Sequence, residues 1–262
     1  MSLRHAPLLY VFYETSRIRE ERQLFESIIG VPVIEVEPHL PHHRHGVFKY
    51  DGGGIILSHN MTGPSRFVDD ESDGLVMVFG VPASFSFPTL YREGHATERR
   101  HGVATDDEGH HYRFVPQESL ARTIATELQL IATDLNESIV FYRDVLDLEL
   151  VERTDVTACF ATGSVPLRLI AGTTAIDGRR LRHETYLIVF HTPDIDQTRE
   201  ELVARGLEFK SPRVGFSEIG GTIRFDDPTG NRCCLYVPSE ESLTWGSGPK
   251  VIAIAGASGA AR

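Results

Sequence analysis

The chain is poor in cysteine and tryptophan and lacks any excess of positive charge. Three cysteines occur in 262 residues, Cys159, Cys233 and Cys234, and two of them are adjacent. Adjacent cysteines are poorly placed for a routine structural disulfide, so no disulfide framework can be read and a reducing, cytoplasmic setting is expected. Lys and Arg number 26 against 37 Asp and Glu, a formal net charge of −11. Non-specific binding to nucleic acid or to an anionic membrane needs clustered basic residues, so the balance argues against both and for a small-molecule partner. No apolar run approaches the roughly 20 residues of a membrane span. The short apolar run in MSLRHAPLLYVFYETS has no small-residue cleavage site after it, so no export signal is expected.

What the chain does have is repetition. In ELQLIATDLNESIVFYRDVLDLELVE (127–152) a short strand leads into a helical pattern, with Asn136 as the expected cap and Ile139, Val140, Tyr142, Val145 and Leu146 on its apolar face. A strand at 148–153 follows, then two more at 158–162 and 166–171 around a Gly163-Ser164 turn. The order is strand, helix, three strands. It recurs from Glu184, with a strand, Thr192 as expected N-cap, Pro193 at the first helical position, Gly206 as the helix stop, and a close through Asp226-Asp227-Pro228-Thr229-Gly230-Asn231 into a last strand.

The first half carries a weaker version of the same pair. LLYVFYETSRIREERQLFESIIGVPVIEVE reads as strand, helix and strand, with Leu24, Phe25, Ile28 and Ile29 on the helix and Gly30 ending it. Residues 47–50 and 55–59 flank a turn at Asp51-Gly52-Gly53-Gly54. A further unit opens at Leu75 and closes through Asp106-Asp107-Glu108-Gly109-His110-His111-Tyr112-Arg113-Phe114, which parallels the stretch from Asp226. Its middle, VPASFSFPTLYREG, is broken by proline, and a shortened or irregular helix is expected there. Internal repeats of this kind decide the fold class before any single element does.

DLNESIVFYRDVLDLELVE and DDPTGNRCCLYVP resemble the first-helix and last-strand signatures of the vicinal oxygen chelate superfamily, the glyoxalase, bleomycin-resistance and extradiol-dioxygenase group. The resemblance covers about residues 6–238 and is strongest from 125 onward. It implies an α+β fold of four βαβββ modules, paired into two domains with strongly curved mixed sheets around a groove. The expected division is an N-terminal domain at 1–120, a C-terminal domain at 121–239 and a flexible Gly-, Ala- and Ser-rich tail at 240–262. Family metal ligands project into the groove from first and last strands. The matching positions here are Glu127, an apolar place near Leu187, and Cys234, with Pro7, Val76 and Arg113 in the first half. That set is a poor one for a divalent metal, which needs about three suitable donors and an open position.

Strand alternation places Glu127, Gln129, Ile131 and Thr133 on one face, and Arg232, Cys234 and Tyr236 on that of the last strand. If both faces look into one groove, acid, amide, guanidinium and phenol groups meet there. The plainer reading is that Glu127 and Arg232 only pair with each other. His111 and Arg113 are candidates to take an anionic group together, and His191, at a strand end, is a minor candidate base. His39, His42, His43 and His45 cluster in PHLPHHRHG, where two prolines point to a loop rather than a fixed ligand spacing. Cys234 reads as a buried filler rather than a nucleophile.

The expected function is therefore a small-molecule-binding protein without cofactor, its grooves holding an aromatic or natural-product ligand, with Phe85, Phe87 and Tyr91 as further aromatic candidates. The main alternative is a metal-dependent enzyme of the same superfamily, a ring-cleaving dioxygenase or a glyoxalase-type lyase or isomerase, with Glu127 the first candidate ligand. A third reading is a scaffold with degenerate grooves, and exposed strand edges leave a homodimer open in any of them.

Overall fold

The computed structural model describes residues 3–35, 46–86 and 103–257. The first unit runs β1 (Leu8–Thr15), α1 (Ile18–Gln23, continued by a π-type turn over Leu24–Ile29), β2 (Val33–Glu35), β3 (Val47–Asp51) and β4 (Ile56–Met61). After a short strand β5 (Glu71–Asp73), the second unit supplies β6 (Leu75–Pro82), β7 (Val103–Thr105) and β8 (His111–Gln117). The expected irregular helix of this unit lies mostly outside the described residues, as do Phe87, Tyr91 and the histidines of 39–45. The third unit is β9 (Ile124–Ala132), α2 (Leu135–Val140, with a π-type turn over Phe141–Val145), β10 (Glu149–Arg153), β11 (Thr157–Ala161) and β12 (Leu167–Ala171). β13 (Arg180–Arg182) pairs with β5. The fourth unit is β14 (Tyr186–His191), α3 (Ile195–Ala204), β15 (Gly215–Ser217), β16 (Gly220–Asp226) and β17 (Arg232–Pro238).

The units share local chemistry. The first helix ends at Gly30 in the left-handed region (φ 75), and in the third unit Asp147 (φ 62) holds the corresponding place. The helix caps differ from expectation. Asp134, not Asn136, accepts from Glu137 N at 2.9 Å, and Asp194, not Thr192, accepts from Gln197 N at 2.9 Å. In each case the aspartate lies three residues before the free amide it satisfies, which is the reach a capping carboxylate needs. Thr192 instead hydrogen-bonds Thr198 Oγ1 at 2.6 Å.

The sheets do not follow the two halves of the chain. β1 pairs antiparallel with β14, giving an eight-stranded sheet ordered β15-β16-β17-β14-β1-β4-β3-β2 from the first and fourth units. β6 pairs antiparallel with β9, giving a seven-stranded sheet ordered β10-β11-β12-β9-β6-β8-β7 from the second and third. Pairing of neighbouring units within 1–120 and within 121–239 is thus replaced by an outer pair and an inner pair. One contiguous core draws on both sheets and the helices, through Val11, Tyr13, Phe25, Met77, Phe79, Leu130, Tyr142, Phe160, Ile188 and Phe190.

The C-terminal segment is also unlike the expected tail. Ser242–Thr244 forms a 3-10 turn and α4 (Gly248–Ala257) a helix. Val251 and Ile254, three apart and so on one helical face, are buried against Leu9, Tyr10, Val189, Cys234 and Tyr236, on the face of the eight-stranded sheet turned away from the main core. Lys250 ties the helix to Asp51 at 2.6 Å. Glycine and alanine suggested mobility, but alanine is also the strongest helix former, and two apolar anchors decide between the two.

Candidate functional site

Two grooves result, one per sheet, and their chemistry differs. In the eight-stranded sheet alternation along β1 sends Val11 and Tyr13 to the core and Tyr10, Phe12 and Glu14 to the other face. There they line a cavity of about 380 Å³ with Val189 of β14, Arg232 and Tyr236 of β17, and Trp245. Tyr10 and Phe12 stack at 5.2 Å between centroids, and Tyr236 meets Tyr10 edge-on at 5.9 Å. Lys49 Nζ sits 5.2 Å from the Tyr10 ring centroid, within cation–π range.

Glu14, Asn60 and Arg232 stand together at one end of this cavity, with Arg224 next along β16 and Thr222 opposite Tyr236. Arg232 donates to the Glu184 carbonyl and lies 4.0 Å from Glu14. Burial, and then Arg224 nearby, push the Arg232 guanidinium down from its usual value. Asn60 Oδ1 is buried with no hydrogen-bond partner among the described residues. Burial pushes the Cys234 thiol up to about 12, so it is protonated at neutral pH and unfit as a nucleophile.

The seven-stranded sheet carries a shallower groove lined by Val78, Arg113, Glu127, Gln129, Thr157, Arg168 and neighbours. Arg168 Nε donates to Glu127 Oε2 at 2.9 Å, and Gln129 Nε2 donates to Glu127 Oε1 at 2.6 Å. Arg113 stands across Val78 from Glu127, as the register of β8, β6 and β9 requires.

The sequence-derived candidates therefore separate. Glu127, Gln129 and Arg113 share the seven-stranded groove, while Arg232 and Tyr236 belong to the other. The expected meeting of Glu127 with Arg232 does not occur, because each strand pairs with a unit from the opposite half. Glu127 pairs with Arg168 instead. His111 lies on the same strand face as Arg113 but is fully buried, 2.8 Å from Thr105 Oγ1 and 3.2 Å from Ser72 Oγ. Burial lowers its pKa to about 4, so it brings no charge to an anion at neutral pH. His191 ends β14 and is among the lining residues of neither groove.

Sequence reasoning missed a third feature, a buried charged cluster at the junction of the sheets. Arg182 of β13 donates to Asp73 Oδ1 of β5 at 2.7 Å and to the Glu108 carbonyl at 2.5 Å. His110 Nδ1 donates to Asp73 Oδ2 at 2.6 Å, and Thr15 Oγ1 to Glu108 Oε2 at 2.5 Å. Glu21 and His59 face each other at 3.2 Å with almost no exposure. Gly109 (φ 83) brings this turn so close to β5 that a Cβ there would stand 2.6 Å from that of Ser72. The DDEGHH run was the available signal, since so many acids and histidines at the mouth of a strand must find buried partners or stay in water.

The described donors at the family's ligand places do not make up a metal-binding set. At the places where the family resemblance puts ligands, Leu187 and a protonated Cys234 stand in one groove, and Glu127, already bonded on both oxygens, stands with Arg113 in the other. Among the described residues no group of three His, Cys, Asp or Glu side chains is arranged to hold a metal ion.

Residues 124–235 match the family described as the Glyoxalase/Bleomycin resistance protein/Dioxygenase superfamily. Among solved structures, glyoxalase I from Zea mays is similar in fold at 16% identity, with 88% of this chain and 92% of that one covered and a TM-score of 0.65. A candidate dioxygenase from Bacillus subtilis subsp. subtilis str. 168 is similar at 12% identity, covering 93% and 87%, also with a TM-score of 0.65. No curated protein sequence matched the chain. The family match is confined to residues 124–235, and over the rest of the chain the likeness to these structures is one of fold. No helix among the described residues is long and apolar enough to cross a membrane.

Proposed function

We propose that the chain is a small-molecule-binding protein of the glyoxalase and bleomycin-resistance type, which sequesters a planar aromatic ligand in the groove of its eight-stranded sheet. The observation that carries this reading is the aromatic lining of that cavity, Tyr10, Phe12, Tyr236 and Trp245, closed at one end by Arg224, Arg232 and Asn60. Ligand pockets commonly combine such an apolar body with a few polar groups that fix orientation. An aromatic body would stack against Tyr10 and Phe12, and a polar or anionic substituent would reach the arginines. A reducing, cytoplasmic setting goes with this reading, for all three cysteines are free and buried.

The chain's single tryptophan lines the cavity, so it reports on occupancy. Naphthalene-2-carboxylate is expected to quench Trp245 emission saturably at one equivalent. Tyr10→Ala, checked for folding by circular dichroism, should weaken binding at least about tenfold, or 1.4 kcal/mol. Absence of any saturable change would refute the proposal. The alternative, a metal-dependent lyase, isomerase or dioxygenase, would draw on donors from 36–45 or 87–102, outside the described residues. Stabilisation by Mn(II) or Ni(II) approaching about 2.7 kcal/mol at 100 times the dissociation constant would favour that alternative.

A further inference from the structure

We propose that the groove of the seven-stranded sheet is a second, independent site, which binds a small monocarboxylate bearing a hydroxyl close to its carboxylate. Arg113 and Glu127 flank Val78 in one cross-strand row, so two strand spacings, about 10 Å, separate their backbones. Both Glu127 oxygens are engaged from their own bank, by Arg168 and Gln129. Arg113 makes no ion pair among the described residues, and its Nε is buried without a hydrogen-bond partner. A guanidinium so placed is set up for a charge-assisted bond to an anion.

Gln129 supplies the second requirement. It is only 4% exposed, it lines the groove, and its Oε1 has no hydrogen-bond partner among the described residues. Because its Nε2 is committed to Glu127, the amide cannot turn over, and the open position is an acceptor. An unfilled buried acceptor costs about 1–3 kcal/mol, and a ligand hydroxyl would satisfy it. The floor between the two groups is apolar, formed by Val78 of β6. Charge selects the anion: one uncommitted guanidinium balances a single negative charge, and Glu127 nearby opposes a second, so a carboxylate fits better than a phosphate dianion.

The test compares salicylate, benzoate and phenol by NMR on the full chain, following the Arg113 Nε–H and Gln129 side-chain amide signals. Salicylate is expected to shift both saturably, benzoate to bind several-fold more weakly, and phenol at least tenfold more weakly. Arg113→Gln should lose at least tenfold in salicylate affinity. Val115→Glu, at an exposed position two residues along the same strand face, should do the same by laying a competing carboxylate beside Arg113. Equal affinity in these variants, or salicylate shifts confined to Trp245 and the other groove, would overturn the site. Benzoate binding as tightly as salicylate would overturn the hydroxyl requirement. The Tyr10→Ala protein should keep its salicylate response, so the two grooves stand or fall separately.

Discussion

In the closing turn of the second unit, Asp106 Oδ1 accepts from the amides of Glu108 and His110, each at 2.9 Å, and Asp106 Oδ2 accepts from Tyr112 OH at 3.2 Å. In the closing turn of the fourth unit, Asp227 Oδ1 accepts from the amides of Thr229 at 2.9 Å and Asn231 at 2.8 Å, and its Oδ2 from Tyr142 OH at 2.9 Å. The backbone device is the same. What differs is the residue four places on. Asn231 completes its turn without a charge of its own, through Nδ2 to Asp227 Oδ2 at 2.7 Å and Oδ1 from Tyr186 OH at 2.5 Å. His110 sits among Asp73, Glu108 and Asp106, with Arg182 behind Asp73. One fold position can thus be filled by an asparagine in a nearly closed network around one carboxyl or by a histidine among several buried charges, and the second ties stability to pH through more groups.

The sharpest way to break that contrast is to remove one partner of the charged network. Arg182→Leu leaves Asp73 with His110 as its one charged partner beside the Thr185 hydroxyl, and losing one side of a buried pair typically costs about 3–5 kcal/mol. Urea unfolding at neutral pH should show a loss of this size, and a change below about 1 kcal/mol would mean that the cluster is held by packing rather than by charge.

The second expectation is a stability optimum on the acid side of neutrality. Burial raises the Glu21 and Asp106 carboxyls to about 7, so they cost nothing below the ordinary carboxylate range and destabilise progressively as pH climbs toward 7. Burial also opposes charge on His110, but Asp106 and Asp73 outweigh it and hold its pKa well above the usual value, so its contribution is full below about 6.5 and is lost at higher pH. On the acid limb, burial alone would raise Asp73 and Glu108, yet His110 with Arg182, Ser16 and Thr15 brings both down to about 2. Their contribution is present above the ordinary range and fades as pH falls toward 2. His59, lowered by burial to about 3, adds to the same limb, because protonating it disfavours the folded state. Unfolding midpoints should therefore fall on both sides of about pH 5, and His110→Asn, which copies the fourth unit's turn, should flatten the alkaline limb.

The smaller effect belongs to the asparagine turn. Asn231→Ala leaves Tyr186 OH and Asp227 short of partners and is expected to cost about 1–3 kcal/mol, the loss being larger above the ordinary carboxylate range, because Asn231 holds down an Asp227 carboxyl that burial raises. A loss in this variant as large as that of Arg182→Leu would erase the distinction between the two turns.

Much of this was legible in the sequence. The strand-helix-strand spacing, the helix stop at Gly30 and the two Asp-rich closing turns lie where periodicity and turn chemistry put them. The pairing of units was not legible, because β1, β6, β9 and β14 are all short apolar runs and no local signal says which opening strand meets which. That gap carried into the site: Glu127 and Arg232 have the right alternation for a shared groove and fail to meet only because their sheets differ. The aromatic cavity was foreshadowed by Tyr236 alone, since Tyr10, Phe12 and Trp245 reach it from the far end of the chain or from a segment rich in small residues.

The outer-with-outer pairing also sets an order of events during synthesis. All strands of the seven-stranded sheet lie between residues 75 and 171, so that sheet can close as soon as its last strand has left the ribosome. β1, made first, has no antiparallel partner until β14 emerges, which at about 5–20 residues per second is a wait on the order of ten seconds. Throughout that interval β1 presents an apolar open edge of the kind that recruits other chains. Nascent chains stalled before residue 186 should therefore be the form most dependent on chaperones, although the same strand is paired on both sides once translation ends.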